Sequence, residues 1–112
     1  MLLRLGSLLA GEGRFEEAVP RLEKAVRMDP GSVDAHFALG RVLVTLERSE
    51  PGISHLREAI RLRPDMADLH NALGIALAAE GQLAEARQAF LKAIELDPSH
   101  QGALQNLGRQ PN

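Results

Sequence analysis

The sequence contains no cysteine, no tryptophan and no tyrosine, and its aromatic residues are three phenylalanines, Phe15, Phe37 and Phe90. Without cysteine there is no disulfide, no thiol nucleophile and no thiolate zinc site, while the compartment is left open. With so few rings, a core has to be built from Leu, Ala, Val and Ile. Excess charge is also missing: 13 basic and 15 acidic residues leave −2, so no global field draws in nucleic acid or an anionic membrane. No stretch approaches the roughly 18 uncharged apolar residues of a membrane span. The apolar start, MLLRLGSLLAG, is interrupted by Arg4 and leads to no small-residue cleavage site. It reads as the start of a helix and not as a secretory signal. The expectation is a cytoplasmic protein without membrane insertion. Lysine is scarce as well, two against eleven arginines, a bias that fits a G+C-rich bacterial genome.

What the sequence does have is a period. Gly6, Gly40, Gly74 and Gly108 step by 34 residues, and so do Pro30, Pro64 and Pro98. On that period Leu5, Leu39, Leu73 and Leu107 precede the glycines, and Leu9, Leu43 and Leu77 follow by three. Small residues come next (Ala18, Gly52, Ala86), then bulky ones (Leu22, Leu56, Phe90), then Ala25, Ala59, Ala93 and Val26, Ile60, Ile94. Residues 69–98 are the regular copy. Leu69, Leu73, Ala76 and Leu77 mark one helical face, and Leu83, Ala86, Ala89, Phe90, Ala93 and Ile94 mark another. Gly81 ends the first helix and Pro98 the second. Two such helices lie antiparallel and cannot bury both apolar faces alone, which is the condition for a stacked array.

The period of 34, the Leu-Gly pair, the small residue, the bulky residue, the alanine and the closing Asp-Pro together resemble the tetratricopeptide repeat, over essentially the whole chain. The resemblance implies an all-α fold, a right-handed superhelical solenoid of antiparallel helix pairs A and B with a concave inner surface. It divides a single domain into residues 1–32, which enter their helix A at Met1 in the third position, then 33–66, 67–100, and a partial capping helix at 101–112 that stops at Pro111.

Glycine and the small residue fall where helix A crosses helix B and let the axes approach to about 8–10 Å. In the first unit, helix B is expected from about residue 14 to 28, kinked at Pro20, with Glu17–Arg21 and Glu23–Arg27 as i,i+4 pairs. The second unit is irregular. Glu47 stands where its neighbours have Gly13 and Gly81, and Pro51 and Gly52 enter the opening of helix B. With Ser49 as N-cap, Pro51 falls in the first turn, where its missing N–H is not needed, and Gly52 costs about 1 kcal/mol relative to Ala. This turn is expected to be the weakest local structure.

The resemblance also implies where a ligand would lie, namely along the helix A stripe turned away from helix B. Those positions are Asp34, Phe37, Arg41, Val44 and Thr45 in the second unit. In the third they are Asp68, Asn71, Ile75, Ala78 and Ala79, with Leu3, Ser7, Gln105 and Arg109 in the end units. Phe37, Val44 and Ile75 either pack between neighbouring A helices or form an apolar patch rimmed by Asp34, Arg41, Asp68 and Asn71 that takes a peptide or helix. The implied role is a protein-binding scaffold or adaptor. The alternative is assembly, as a homo-oligomer joined through the solenoid ends or by helix exchange.

One subclass of the family grips acidic C-terminal peptides with a Lys, Asn and Arg clamp. The matching positions here are Leu3, Ser7, Ala38, Asp68 and Ala72, or one unit later Phe37, Arg41, Ala72, Gly102 and Asn106. Only Asn106 agrees in type, so a chaperone-tail clamp is not expected. His36 and His70 share a repeat position about 10 Å apart by helix spacing, too far to meet on one ion. They are read as structural, and no metal or cofactor is expected. The serines lack a paired His and Asp, and the glycines belong to the period and not to a phosphate loop, so no catalytic residue is assigned. Arg48, Arg57, Arg61 and Arg63 are the sole basic cluster, and with Glu50 and Glu58 beside them they read as a solvated face.

Overall fold

The computed structural model describes residues 2–110; the sequence features at Met1 and Pro111 lie outside the described residues. Seven α-helices follow one another: α1 (Leu2–Gly11), α2 (Phe15–Met28), α3 (Val33–Thr45), α4 (Ser49–Leu62), α5 (Ala67–Ala79), α6 (Leu83–Leu96) and α7 (Gln101–Gly108). No strand occurs among the described residues. The odd-numbered helices touch one another in series, α1 to α3 to α5 to α7, and each packs on the even-numbered helix that follows or precedes it. The result is an all-α solenoid, 41 × 25 × 21 Å.

Helices α1, α3 and α5 end by the same device. The residues in the left-handed region are Gly13 (φ 80°), Glu47 (φ 63°) and Gly81 (φ 78°). Their N–H groups bond the carbonyls of Ala10, Val44 and Ala78, all at 3.0 Å. The N–H groups of Arg14, Arg48 and Gln82 reach back five residues to Leu9, Leu43 and Leu77 at 2.9, 2.8 and 2.9 Å. This double closure is a Schellman motif. Its last residue is also the N-cap of the next helix, so Arg14, Arg48 and Gln82 cap through the backbone and none offers a side-chain bond. Ser49 is therefore not the N-cap expected from its type. The closure leaves Arg48 in that place, and Ser49 becomes the first helical residue, 5% exposed. Pro51 still falls in the first turn, where its absent N–H has no partner to lose.

The glycine period is explained at the helix crossings. A Cβ at Gly6 would fall 2.6 Å from Leu22 Cδ2, one at Gly40 2.8 Å from Leu56 Cγ, and one at Gly74 against the edge of the Phe90 ring. Leu22, Leu56 and Phe90 are fully buried on those bare backbones. In the second pair the approach is closer still. A Cβ on Gly52 would sit 3.0 Å from the Gly40 carbonyl oxygen and 2.8 Å from Val44 Cγ2. Gly52 is thus a packing requirement rather than a helix defect that Ala would mend.

Helix α2 is continuous through Pro20. The Glu17–Arg21 pair expected on its outer face is replaced by a two-bond contact from Arg14 to Glu17, both at 2.7 Å. The forked contact holds the Glu17 carboxyl below the usual carboxylate range.

Candidate functional site: the concave face of the odd-numbered helices

Three hollows run in sequence along the face of the odd-numbered helices. The first, about 260 Å³, lies between α1 and α3, with Ser7, Ala10, Phe15, Ala38, Arg41 and Thr45 among its walls. The second, about 220 Å³, lies between α3 and α5 and is bounded by Arg41, Val44, Thr45, Leu56, Ala72 and Ile75. The third, about 200 Å³, lies between α5 and α7, with Ile75, Ala78, Leu83, Phe90, Asn106 and Arg109 among its walls. Arg41 and Thr45 are common to the first two, and Ile75 to the last two.

The helix A stripe of the sequence therefore maps onto these hollows, though not uniformly. Arg41, Val44, Thr45, Ile75, Ala78 and Arg109 bound them. Phe37 is half-buried and packs on the cluster around Leu56, Leu73 and Phe90. Val44 has a double role, since it also presses on Gly52. Asp34 and Gln105 are exposed and border none of the three hollows. Asp68 and Asn71 are not free rim groups. Asp68 Oδ1 accepts from His100 Nε2 at 2.6 Å, and Asn71 Oδ1 accepts from Asn106 Nδ2 at 3.0 Å. Both tie α5 to α7. His100 Nδ1 in turn accepts the Ala103 N–H at 3.0 Å, capping α7. The helix A stripe did not contain Phe15, because it opens a B helix; its repeat equivalents Ser49 and Leu83 differ too much in type to show a pattern.

The charge in the groove centres on Arg41. Its guanidinium carbon lies 5.2 Å from the centroid of the Phe37 ring, a cation–π distance. No carboxylate among the described residues pairs with it. The arginines in and flanking α4 differ: Arg48 meets Glu16 at 3.1 Å, Arg57 meets Glu85 at 3.6 Å, Arg61 meets Glu58 at 2.6 Å and Arg63 meets Asp65 at 3.4 Å. Each of these cations already has an acidic neighbour. Among the described residues no helix is long and apolar enough to cross a membrane.

The histidines sit elsewhere. His36 Nε2 donates to the Pro30 carbonyl at 2.9 Å, and His70 Nε2 donates to that of Pro64 at 3.0 Å. His36 Nδ1 lies 3.1 Å from His55 Nδ1, with ring centroids 5.4 Å apart. That separation is close to the nitrogen–nitrogen distance plus the two ring radii, so the nitrogens face each other head-on. Two ligands of one ion would instead converge on a point beside that line. The pair is a hydrogen bond. Among the described residues no group of three or more metal-ligating side chains comes together.

Sequence comparison agrees with the geometry. The profile of the tetratricopeptide repeat matches residues 3–51 and 43–100, and the chain belongs to the tetratricopeptide-repeat family. No curated protein matches the sequence. Among solved structures, the first repeat domain of Spaghetti (RPAP3) bound to the HSP90 peptide SRMEEVD has a TM-score of 0.92 at 21% identity, over 96% of this chain and 86% of that one. This likeness is one of fold. YrrB, described as a repeat protein with an unusual peptide-binding site, has a TM-score of 0.90 at 25% identity, over 93% of this chain and 54% of its own. MamA from Desulfovibrio magneticus RS-1, from residue 41 to its end, has a TM-score of 0.90 at 28% identity, over 96% and 60%. The chain thus spans little more than half of these last two structures.

Proposed function

We propose that the chain is a protein-interaction module, a scaffold or adaptor that holds a peptide or helix of a partner protein in the groove of α1, α3, α5 and α7. The observation that carries this reading is the continuity of the three hollows through Arg41, Thr45 and Ile75. Ile75 is 43% exposed at the wall between the second and third hollows. An apolar anchor of the partner beside it, with an acidic side chain near Arg41, matches the chemistry of that stretch. The peptide-bound Spaghetti domain and the peptide-binding site ascribed to YrrB support a peptide as the ligand class. The clamp positions lack their lysine and arginine, so a chaperone tail is not the ligand this groove fits.

Peptides selected from a random library against the purified chain, then titrated calorimetrically, test the reading. Ile75→Asp is expected to weaken the best peptide by more than tenfold, about 1.4 kcal/mol, and Arg41→Ala by several-fold, both with the wild-type melting temperature. Phe37→Ala is a poorer probe because that ring also packs the core. Equal affinity for all three proteins would move the site off the concave face.

A second reading, self-association through the ends, rests on α1. Leu5 is 39% and Leu8 58% exposed, whereas their repeat equivalents Leu39, Val42, Leu73 and Ala76 are 1%, 4%, 8% and 0% exposed. The face that α3 and α5 bury is open on α1, and a second copy is the proposed cover. Sedimentation at two concentrations decides: a strict monomer at both removes this reading, and a dimer that Leu8→Asp abolishes supports it.

A further inference from the structure

His55 stands outside the 34-residue pattern, since its repeat equivalents are Arg21 and Ala89. His36 therefore meets an imidazole where the repeat sets Ala89 opposite His70. A carbonyl can only accept, so the contacts to Pro30 and Pro64 place a hydrogen on Nε2 of both His36 and His70. Between the two Nδ1 atoms of His36 and His55, 3.1 Å apart, there is room for one hydrogen.

We infer that the His36–His55 pair is a one-proton lock between α3 and α4, the two helices of the second pair, closed in the neutral and singly protonated states and opened by a second added proton. In the neutral pair His55 Nδ1–H donates to His36 Nδ1. A proton added at His55 Nε2 leaves that bond intact. A proton added at His36 Nδ1 reverses the donor, with the hydrogen of His55 moving to its Nε2. With two added protons both Nδ1 atoms carry hydrogen, and two like charges face each other at contact distance. The bond then breaks, and with it the tie that runs from α4 through His36 to the Pro30 turn between α2 and α3. His36 is 6% exposed, so water has little access to replace the lost partner.

Two carboxylates act on the pair. Glu23 of α2 acts on His55, and Glu58 of α4, held by Arg61, interacts with His36. Burial and the neighbouring His36 lower the His55 pKa, with Glu23 opposing.

Two imidazoles in the unfolded chain take up two protons near pH 6.5, while the closed pair takes at most one. The unfolded state then binds more protons, so stability falls as pH drops below about 6.5. The folding constant falls roughly tenfold per pH unit for each proton of difference. His55→Ala recreates the third-repeat arrangement and removes the deficit. Urea unfolding of the full chain between pH 7.5 and 5 is expected to give the wild type a folding constant that, below about pH 6.5, falls about tenfold per pH unit more steeply than that of the variant. Equal slopes overturn the inference. Should the variant not fold, nitrogen NMR of the wild type decides. An Nδ1–H···Nδ1 bond present at pH 7.5 and gone in the doubly protonated pair, with the His70–Pro64 contact retained, supports the lock. Absence of that bond at pH 7.5, or amides of α3 and α4 that stay as protected in the doubly protonated pair as at pH 7.5, overturns it.

Discussion

Replacing Glu47 by glycine should stabilise the protein. Glu47 holds φ 63° at the position where the other two turns have glycine at φ 80° and 78°. A side chain in the left-handed region costs roughly 1–2 kcal/mol, and glycine recovers this while adding about 0.5–1 kcal/mol of unfolded-state entropy to be lost on folding. The net expected gain is about 0.5–1 kcal/mol, or about 3–6 °C in Tm for a domain of this size. Glu47 is exposed, so little packing is lost with its side chain. The converse substitutions, Gly13→Ala and Gly81→Ala, meet no atom within 4 Å of the new Cβ and isolate the backbone term; each should cost about 1 kcal/mol. Denaturant midpoints measure the totals, and amide exchange across residues 46–52 locates them. In the wild type these amides should exchange faster than those at residues 80–86, and Glu47→Gly should close the gap. A midpoint unchanged in Glu47→Gly, with Gly81→Ala also neutral, would refute the reasoning.

Three further outcomes follow from the same geometry. Gly52→Ala should destabilise by about 1–3 kcal/mol by overpacking against the Gly40 carbonyl and Val44, against a helix-propensity gain of about 1 kcal/mol; a raised denaturation midpoint would show that the crossing is looser than described. His100→Ala removes both the cap on Ala103 and the contact to Asp68, so α7 should lose about 1–2 kcal/mol of local stability and exchange its amides ahead of α6; unaltered exchange would count against that tie. The Asp97 carboxylate accepts from the Ser99 hydroxyl at 2.8 Å and its N–H at 3.1 Å, which hold its pKa below the usual value. Its contribution is present above the ordinary carboxylate range and is lost as pH falls through the lowered pKa. Ser99→Ala should move the Asp97 titration upward, and an unmoved carboxyl resonance would contradict the assignment.

The repeat made the helices legible. Leucine, glycine, alanine and proline recur because each helix crossing and each turn meets the same steric demand, so the helix pairs follow from sequence. What the period could not reveal were contacts made by residues out of phase. His55 has no counterpart in the other repeats, so nothing in the spacing announced its bond to His36. Asp68 and Asn71 looked like free rim groups because their partners, His100 and Asn106, lie a full unit away in sequence. Residue type points to Ser49 as a cap, whereas the Schellman closure before it decides which residue takes that place. Arg41 and Ile75 are recognisable from the helical stripe, but their roles as shared walls depend on how neighbouring helices stack.

Those shared walls define a ruler. Successive hollows are one repeat apart, about 10 Å by helix spacing. A helix lying along the groove covers that distance in about seven residues at 1.5 Å each, nearly two whole turns, so residues i and i+7 point the same way. A polyproline II segment covers it in one turn of three residues, about 9.3 Å. A β-strand also needs about three residues, but after three its side chain faces away; it would reach every second hollow, at i and i+6. The spacing of apolar residues in selected peptides, seven, three or six, would therefore report the backbone conformation of the bound segment before any complex is solved. A spacing of four or five would mean that the hollows do not set the register.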